Sequence, residues 1–243
     1  MRRELRSWHS PHLGRETEIA VYGHWGFALL LFPTADADHL ECERYYLIDA
    51  IRHFIDAGKV KVFTVASVGD EGWLNEHVPP SYRAHRQQQY NRYLEDEVVP
   101  FIREATSGET MIVTAGASFG AYLAANALFR RPDLFDGTIA MSGTYDVKEF
   151  VDDFLDDACY FNSPVDFLPN LADEKILARL RSRGHIYILS GQGDYESPER
   201  SVELSRILAA KEIPHHLDLW GHDVPHDWPA WRAMLPHVLG TRL

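Results

Sequence analysis

Short apolar runs alternate along the chain with longer stretches that are apolar on one face only. This alternation is typical of a mostly parallel sheet covered by helices, because strands buried on both faces are apolar throughout. The predicted strands are 5–8, 18–22, 27–32, 60–66, 111–114, 138–141, 186–189 and 217–220. The predicted helices between them include 41–57, 81–105 and 123–130. The pattern therefore predicts an α/β protein with helices on both faces of its sheet.

The first two predicted strands are expected to pair differently from the other strands. A short turn-forming segment, Ser10 to Gly14, joins the first two strands, so these are expected to be antiparallel.

No low-complexity linker or internal repeat divides the chain, and α/β folds of 243 residues often form one domain. We therefore expect a single domain over 1–243. Within it, 147–170 combines an acidic stretch with a proline- and asparagine-rich loop and is a candidate lid insert.

Charge and cysteine usage exclude several function classes. The formal net charge of −12 argues against a nucleic-acid partner, because nucleic-acid binders need a basic face. Two cysteines are too few for a disulfide framework, and no histidine or cysteine spacing favours a metal site. No apolar run follows the first basic residues and no membrane span is visible, so a cytoplasmic protein without cofactor or metal is expected.

A sharp turn between a predicted strand and a predicted helix carries a reactive residue type. The strand 111–114 runs into Gly116-Ala117-Ser118-Phe119-Gly120, and an alanine-rich stretch follows. In a nucleophile elbow the serine is held in a strained conformation, so the residues two positions before and after it have to be small. We therefore expect Ser118 to be the nucleophile of a serine hydrolase with the α/β-hydrolase fold.

The order of residues after the elbow indicates the other members of a catalytic triad. In this fold an acid and then a histidine follow the serine, each after the end of a strand. After 186–189 comes a glycine-rich loop in which Asp194 is the favoured acid and Glu196 the alternative. After 217–220 come His222 and His226, and the residues alone leave the choice of base between them nearly even.

Two backbone amides are candidates for an oxyanion hole. The amide of Phe119, directly after the nucleophile, is the expected first donor. The second donor is expected in the loop after strand 27–32, where the Ala35 amide is favoured and Thr34 is the alternative. Both donors would face the oxygen on which negative charge develops during acyl transfer.

Three segments resemble the esterase family of α/β-hydrolases that includes S-formylglutathione hydrolase (esterase D), feruloyl esterases and mycolyltransferases. They are Ser10 to Glu16, the elbow, and the stretch His226-Asp227-Trp228-Pro229-Ala230-Trp231-Arg232. The last stretch is more specific than the elbow, and the resemblance implies that His226 is the base and Asp194 the acid. Thr34 stands where the family more typically has a glycine, and Ala117 and Phe119 differ from better-known members.

These residues together predict a reaction. His226 would accept the proton of Ser118 as the serine oxygen attacks an ester carbonyl, and Asp194 would orient the imidazole. Water would then hydrolyse the acyl-enzyme, so the expected activity is hydrolysis of a small-molecule carboxylic ester. An acyltransferase with the same triad and a non-catalytic binding protein on the same fold are the alternatives.

Overall fold

The computed structural model describes residues 1–152 and 154–243. Its strands in these ranges form one sheet of eight strands. The strands are β1 (Arg3–Ser10), β2 (Arg15–Tyr22), β3 (Phe27–Phe32), β4 (Val60–Val65), β5 (Ile112–Ala117), β6 (Gly137–Met141), β7 (His185–Ser190) and β8 (His216–Leu219). Their order across the sheet is β1-β2-β4-β3-β5-β6-β7-β8. β1 and β2 are antiparallel at one edge and β3 to β8 are mutually parallel. The predicted α/β fold with N-terminal antiparallel strands is confirmed.

Helices cover both faces of this sheet. They are α1 (Glu41–Arg44), α2 (Leu47–Ala50), α3 (Arg52–Asp56), α4 (Pro80–Tyr93), α5 (Val99–Ala105), α6 (Phe119–Arg130), α7 (Asp157–Tyr160), α8 (Pro164–Asn170), α9 (Glu174–Ser182), α10 (Pro198–Ala210) and α11 (Trp228–Thr241). A π-helical turn at Leu94–Val98 links α4 to α5, and a 3₁₀ turn occupies Val147–Phe150. Within the described ranges, none of these helices has the length and apolar character needed to cross a membrane.

The apolar core is divided in two by the sheet, as the side-chain alternation of a strand requires. In β3, Ala28, Leu30 and Phe32 face the layer built by α4 to α10. Leu29 and Leu31 face the opposite layer, which α1 to α3 and α11 build. A strand buried on both faces in this way is apolar at every position, which explains why β3 lacks the polar alternation of a half-exposed strand.

Three predicted helices differ from those observed. The single helix expected over 41–57 is three short helices. Tyr46, with a left-handed φ of 62°, separates α1 from α2, and Ile51, with φ of −106° and ψ of 9°, separates α2 from α3. The helix expected over 81–105 begins one residue earlier at Pro80 and continues through the π-helical turn to Ala105. Helix α6 begins at Phe119, immediately after the elbow serine and earlier than expected.

The elbow lies in the middle of the parallel part of the sheet. β5 pairs with β3 on one side and β6 on the other, and Phe32 of β3 is the register partner of Gly116. A Cβ atom on Gly120 would lie 2.4 Å from the Pro33 carbonyl oxygen. Only glycine therefore lets the first turn of α6 approach the end of β3 this closely.

Gly120→Ala is expected to lower the free energy of unfolding by about 1–3 kcal/mol, although alanine is normally favoured inside a helix. The added methyl group would collide with backbone atoms of residues 32 and 33, which cannot move independently. Urea unfolding followed by circular dichroism measures the change. Gly184→Ala is the matched control, because no atom lies within 4 Å of its new methyl group. Equal stabilities of the two variants would contradict the close contact.

Candidate active site

Ser118 is the first residue of the site, and its backbone is strained. It has φ of 56° and ψ of −123°, a conformation that residues other than glycine rarely adopt. Its amide donates to the Met141 carbonyl oxygen of β6 at 2.9 Å, which ties the turn to the sheet. The strand thus ends abruptly, and the serine side chain stays partly exposed at the edge of the sheet. This is the geometry that a nucleophile elbow requires.

His226 contacts this serine directly. Its Nε2 lies 3.0 Å from the Ser118 Oγ, a hydrogen bond that joins residues far apart in the chain. The His226 amide donates to the Asp194 carbonyl oxygen at 2.9 Å, and the Trp231 ring packs edge-to-face on the imidazole at 5.1 Å. The alternative histidine, His222, is exposed on the preceding turn. Of the two histidines, the structure therefore brings only His226 to the serine.

A glutamate, and not the favoured aspartate, lies on the other side of the imidazole. The Glu196 Oε2 is 3.5 Å from the His226 Nδ1, and the Glu196 side chain is only 1% exposed. The Asp194 side chain is exposed to solvent and has no side-chain hydrogen bond among the described residues. Its carbonyl oxygen still accepts the His226 amide, so Asp194 holds the histidine loop through its backbone alone.

The conformation of one loop explains this correction. Tyr195 has a left-handed backbone with φ of 63°, and its side chain is 93% exposed. The turn directs Tyr195 outward and the next residue, Glu196, back into the protein. Gly191 and Gly193 pack against the Val224 carbonyl oxygen, and a Cβ on Gly191 would lie 2.2 Å from that oxygen. The two glycines therefore let the loop after β7, which contains Glu196, contact the loop after β8, which contains His226.

Hydrogen bonds keep the Glu196 carboxylate ionised despite its burial. The Ser142 Oγ donates to the Glu196 Oε1 at 2.6 Å, and the Ser190 Oγ lies 3.2 Å from the Oε2. Burial alone would raise the pKa of Glu196, but the hydrogen bonds from His226 and Ser142 outweigh it and hold the pKa below its ordinary value. The carboxylate is therefore anionic at neutral pH. It can accept a hydrogen bond from the protonated Nδ1 of His226.

The sequence reasoning did not find the two serines whose hydroxyls hold Glu196. Ser142 directly follows strand β6 and Ser190 is the last residue of β7, so both lie where parallel strands deliver side chains to one edge of the sheet. The only sequence signal for either serine was its position at the carboxyl end of a predicted strand.

The two candidate oxyanion donors lie in the elbow and in the loop after β3, which approaches the elbow at Pro33. The Phe119 amide opens α6, and neither it nor the Ala35 amide has a hydrogen-bond partner within the described ranges. The Thr34 amide, in contrast, donates to the Glu41 Oε2 at 2.7 Å. A donor already used by a carboxylate is poorly suited to a substrate oxygen, so this geometry favours Ala35 over Thr34.

Similar structures share this fold. A ferulic acid esterase aligns with a TM-score of 0.73 at 19% identity, covering 98% of this chain and 95% of that one. An S-formylglutathione hydrolase from Staphylococcus aureus has a TM-score of 0.67 at 16% identity, with 98% and 96% covered. A ferulic acid esterase of the anaerobic fungus Anaeromyces mucronatus has a TM-score of 0.71 at 13% identity, with 99% and 90% covered. The curated proteins contain no significant match.

The fold and the elbow define a serine hydrolase with the α/β-hydrolase fold. The sequence model of the family described as "Putative esterase" matches residues 45–241, which is most of the chain. The chain therefore belongs to this family of carboxylic ester hydrolases, and the resemblance noted in the sequence is confirmed.

Glu196→Gln is expected to lower kcat on the order of 10³-fold, because the neutral amide no longer holds the imidazole in the required tautomer. Asp194→Asn serves as the control and should stay within about twofold of the wild type, since the exposed side chain touches neither His226 nor Ser118. Steady-state hydrolysis of a short p-nitrophenyl ester measures both. A large loss in Asp194→Asn with little change in Glu196→Gln would restore Asp194 as the acid.

Proposed function

We propose that this protein hydrolyses small-molecule carboxylic esters through an acyl-enzyme formed on Ser118. The observation that carries the proposal is the continuous contact from the Ser118 Oγ through the His226 imidazole to the buried Glu196 carboxylate. A nucleophile, a base and an orienting acid in hydrogen-bond series are the components that acyl transfer requires. Family membership supports the reaction class, and the contacts support the residue roles.

In the first half-reaction the Ser118 oxygen attacks the ester carbonyl carbon while the His226 Nε2 accepts its proton. Glu196 accepts a hydrogen bond from Nδ1, fixes the tautomer that leaves Nε2 free, and stabilises the imidazolium that forms. The imidazolium then protonates the leaving alcohol oxygen as its bond to the carbonyl carbon breaks. The products of this step are the free alcohol and the acyl ester of Ser118.

Negative charge on the carbonyl oxygen would be stabilised by the amides of Phe119 and Ala35. The Phe119 amide belongs to the first turn of α6, where free N–H groups and the helix dipole favour negative charge. Each well-placed oxyanion donor lowers the barrier by about 3 kcal/mol. In the second half-reaction His226 activates water, which releases the acid and restores the serine.

The segment 147–170, of which the structure describes every residue except 153, is proposed to border the substrate site within a single catalytic domain. Phe150, at the end of its 3₁₀ turn, packs edge-to-face on Phe119 with ring centroids 5.8 Å apart. The Arg83 guanidinium donates to the Phe150 carbonyl oxygen at 2.5 Å, which anchors the turn to α4. This contact supports a lid beside the nucleophile, and the continuous sheet supports one domain.

Ser118→Ala is expected to abolish turnover of a short p-nitrophenyl ester while leaving the fold intact. Removing the nucleophile of such a triad leaves only the catalysis supplied by binding and the oxyanion hole, a loss of about 10⁴-fold or more. Ser107→Ala provides the control, because Ser107 is exposed and, among the described residues, its hydroxyl bonds only to the side chain of Thr110. Turnover by Ser118→Ala at the rate of this control would refute the proposed nucleophile.

A further inference from the structure

Two buried side chains lie behind the proposed triad and connect its members. Ser142 and Trp231 are 6% and 4% exposed, and within the described part of the chain the Ser118 hydroxyl is hydrogen-bonded to His226 and not to either of them. The Trp231 Nε1 donates to the Ser142 Oγ at 3.1 Å, and the Ser142 Oγ donates to the Glu196 Oε1 at 2.6 Å. The indole is thus linked through one hydroxyl to the proposed acid.

The direction of the hydroxyl proton follows from this arrangement. A serine hydroxyl has a single proton, and its oxygen here accepts the indole N–H. Since the indole nitrogen is a donor only, the serine proton is directed to the Glu196 carboxylate. The other hydroxyl at the carboxylate, Ser190, also lies 2.9 Å from the Gly191 carbonyl oxygen and 3.2 Å from Glu196. Ser142 therefore makes the shorter and better-directed bond.

Trp231 also contacts the proposed base. Its ring packs edge-to-face on the His226 imidazole, with centroids 5.1 Å apart and planes at 88°. One indole consequently restrains the imidazole through its ring and the carboxylate through Ser142. Because Trp231 belongs to α11, the helix that follows the histidine loop, both restraints come from one rigid element.

We propose that Ser142 and Trp231 act as a pair of positioning residues that hold Glu196 and His226 in the geometry needed for proton transfer. This inference rests on the proposed function, since it takes Glu196 as the acid and His226 as the base. The pair touches no reacting atom and acts through these two side chains alone.

The backbone of Ser142 gains nothing from a serine side chain. Ser142 has φ of 53°, in the left-handed region that glycine adopts with less strain. A glycine at this position would therefore relieve backbone strain. It would also remove the hydroxyl, and with it the bond to Glu196 and the acceptor of the Trp231 indole N–H.

Ser142→Gly is expected to lower the free energy of unfolding only slightly, because the relief of backbone strain partly offsets the lost hydroxyl bonds, while kcat falls about 10-fold with little change in KM. Glu212→Gly is the matched control, because Glu212 has a similar φ of 55° but is exposed and lies in the turn before β8, at the edge of the sheet opposite the triad. The control relieves the same backbone strain without losing a buried bond, so its free energy of unfolding should be unchanged or higher and its kcat should equal that of the wild type. Urea unfolding and steady-state kinetics on a p-nitrophenyl ester provide both readouts.

Trp231→Phe removes the indole N–H but keeps a ring against His226, so it gives a second and independent variant. It is expected to lower kcat about 10-fold as well, and the double variant Ser142→Gly/Trp231→Phe should fall little further, because both act on one bond. Wild-type kcat in Ser142→Gly, or losses that multiply in the double variant, would overturn the proposal. Failure of the proposed function is separately visible, because Ser118→Ala would then remain active.

Discussion

The close approach of helix α6 to the end of strand β3 is the contact on which the rest of the site depends. It exists because Gly120 has no side chain to collide with the Pro33 carbonyl oxygen. The approach lets the chain leave β5 in the strained turn at Ser118 and places the first amide of α6 beside the loop that contains Ala35. The nucleophile and both proposed oxyanion donors are therefore set by one backbone packing constraint.

A second packing constraint brings the proposed acid, Glu196, and the proposed base, His226, to that serine. The loop after β7 and the loop after β8 touch through Gly193, whose amide donates to the Val224 carbonyl oxygen at 2.9 Å. The Asp194 carbonyl oxygen then holds the His226 amide, and the turn at Tyr195 directs Glu196 inward. Burial would disfavour this carboxylate, so its hydrogen bonds with His226 and Ser142 are needed to keep it ionised. Proton transfer and local stability thus depend on the same bonds.

The features that the sequence predicted correctly are those governed by local patterns. The strand periodicity predicted the sheet, and the elbow predicted Ser118. The order of residues left His222 and His226 open, and the family resemblance selected His226, whose Nε2 lies 3.0 Å from the Ser118 Oγ. The carboxylate at the imidazole depends on the left-handed turn at Tyr195, which composition does not reveal, so Asp194 was favoured although Glu196 lies there. Tyr46 divides the helix predicted over 41–57 in the same way. The Ser142–Trp231 bond joins positions 89 residues apart, and only the assembled sheet brings them together.

The central claim is that Ser118 is a serine activated by His226 and Glu196. Its most direct test is to treat the folded protein with a fluorophosphonate, which reacts with activated serines, and to map the modified residue by peptide mass spectrometry. The account predicts one phosphonylated residue, Ser118, and strongly reduced labelling in His226→Ala. Labelling of a different serine, or equal labelling of Ser118 in that variant, would contradict it.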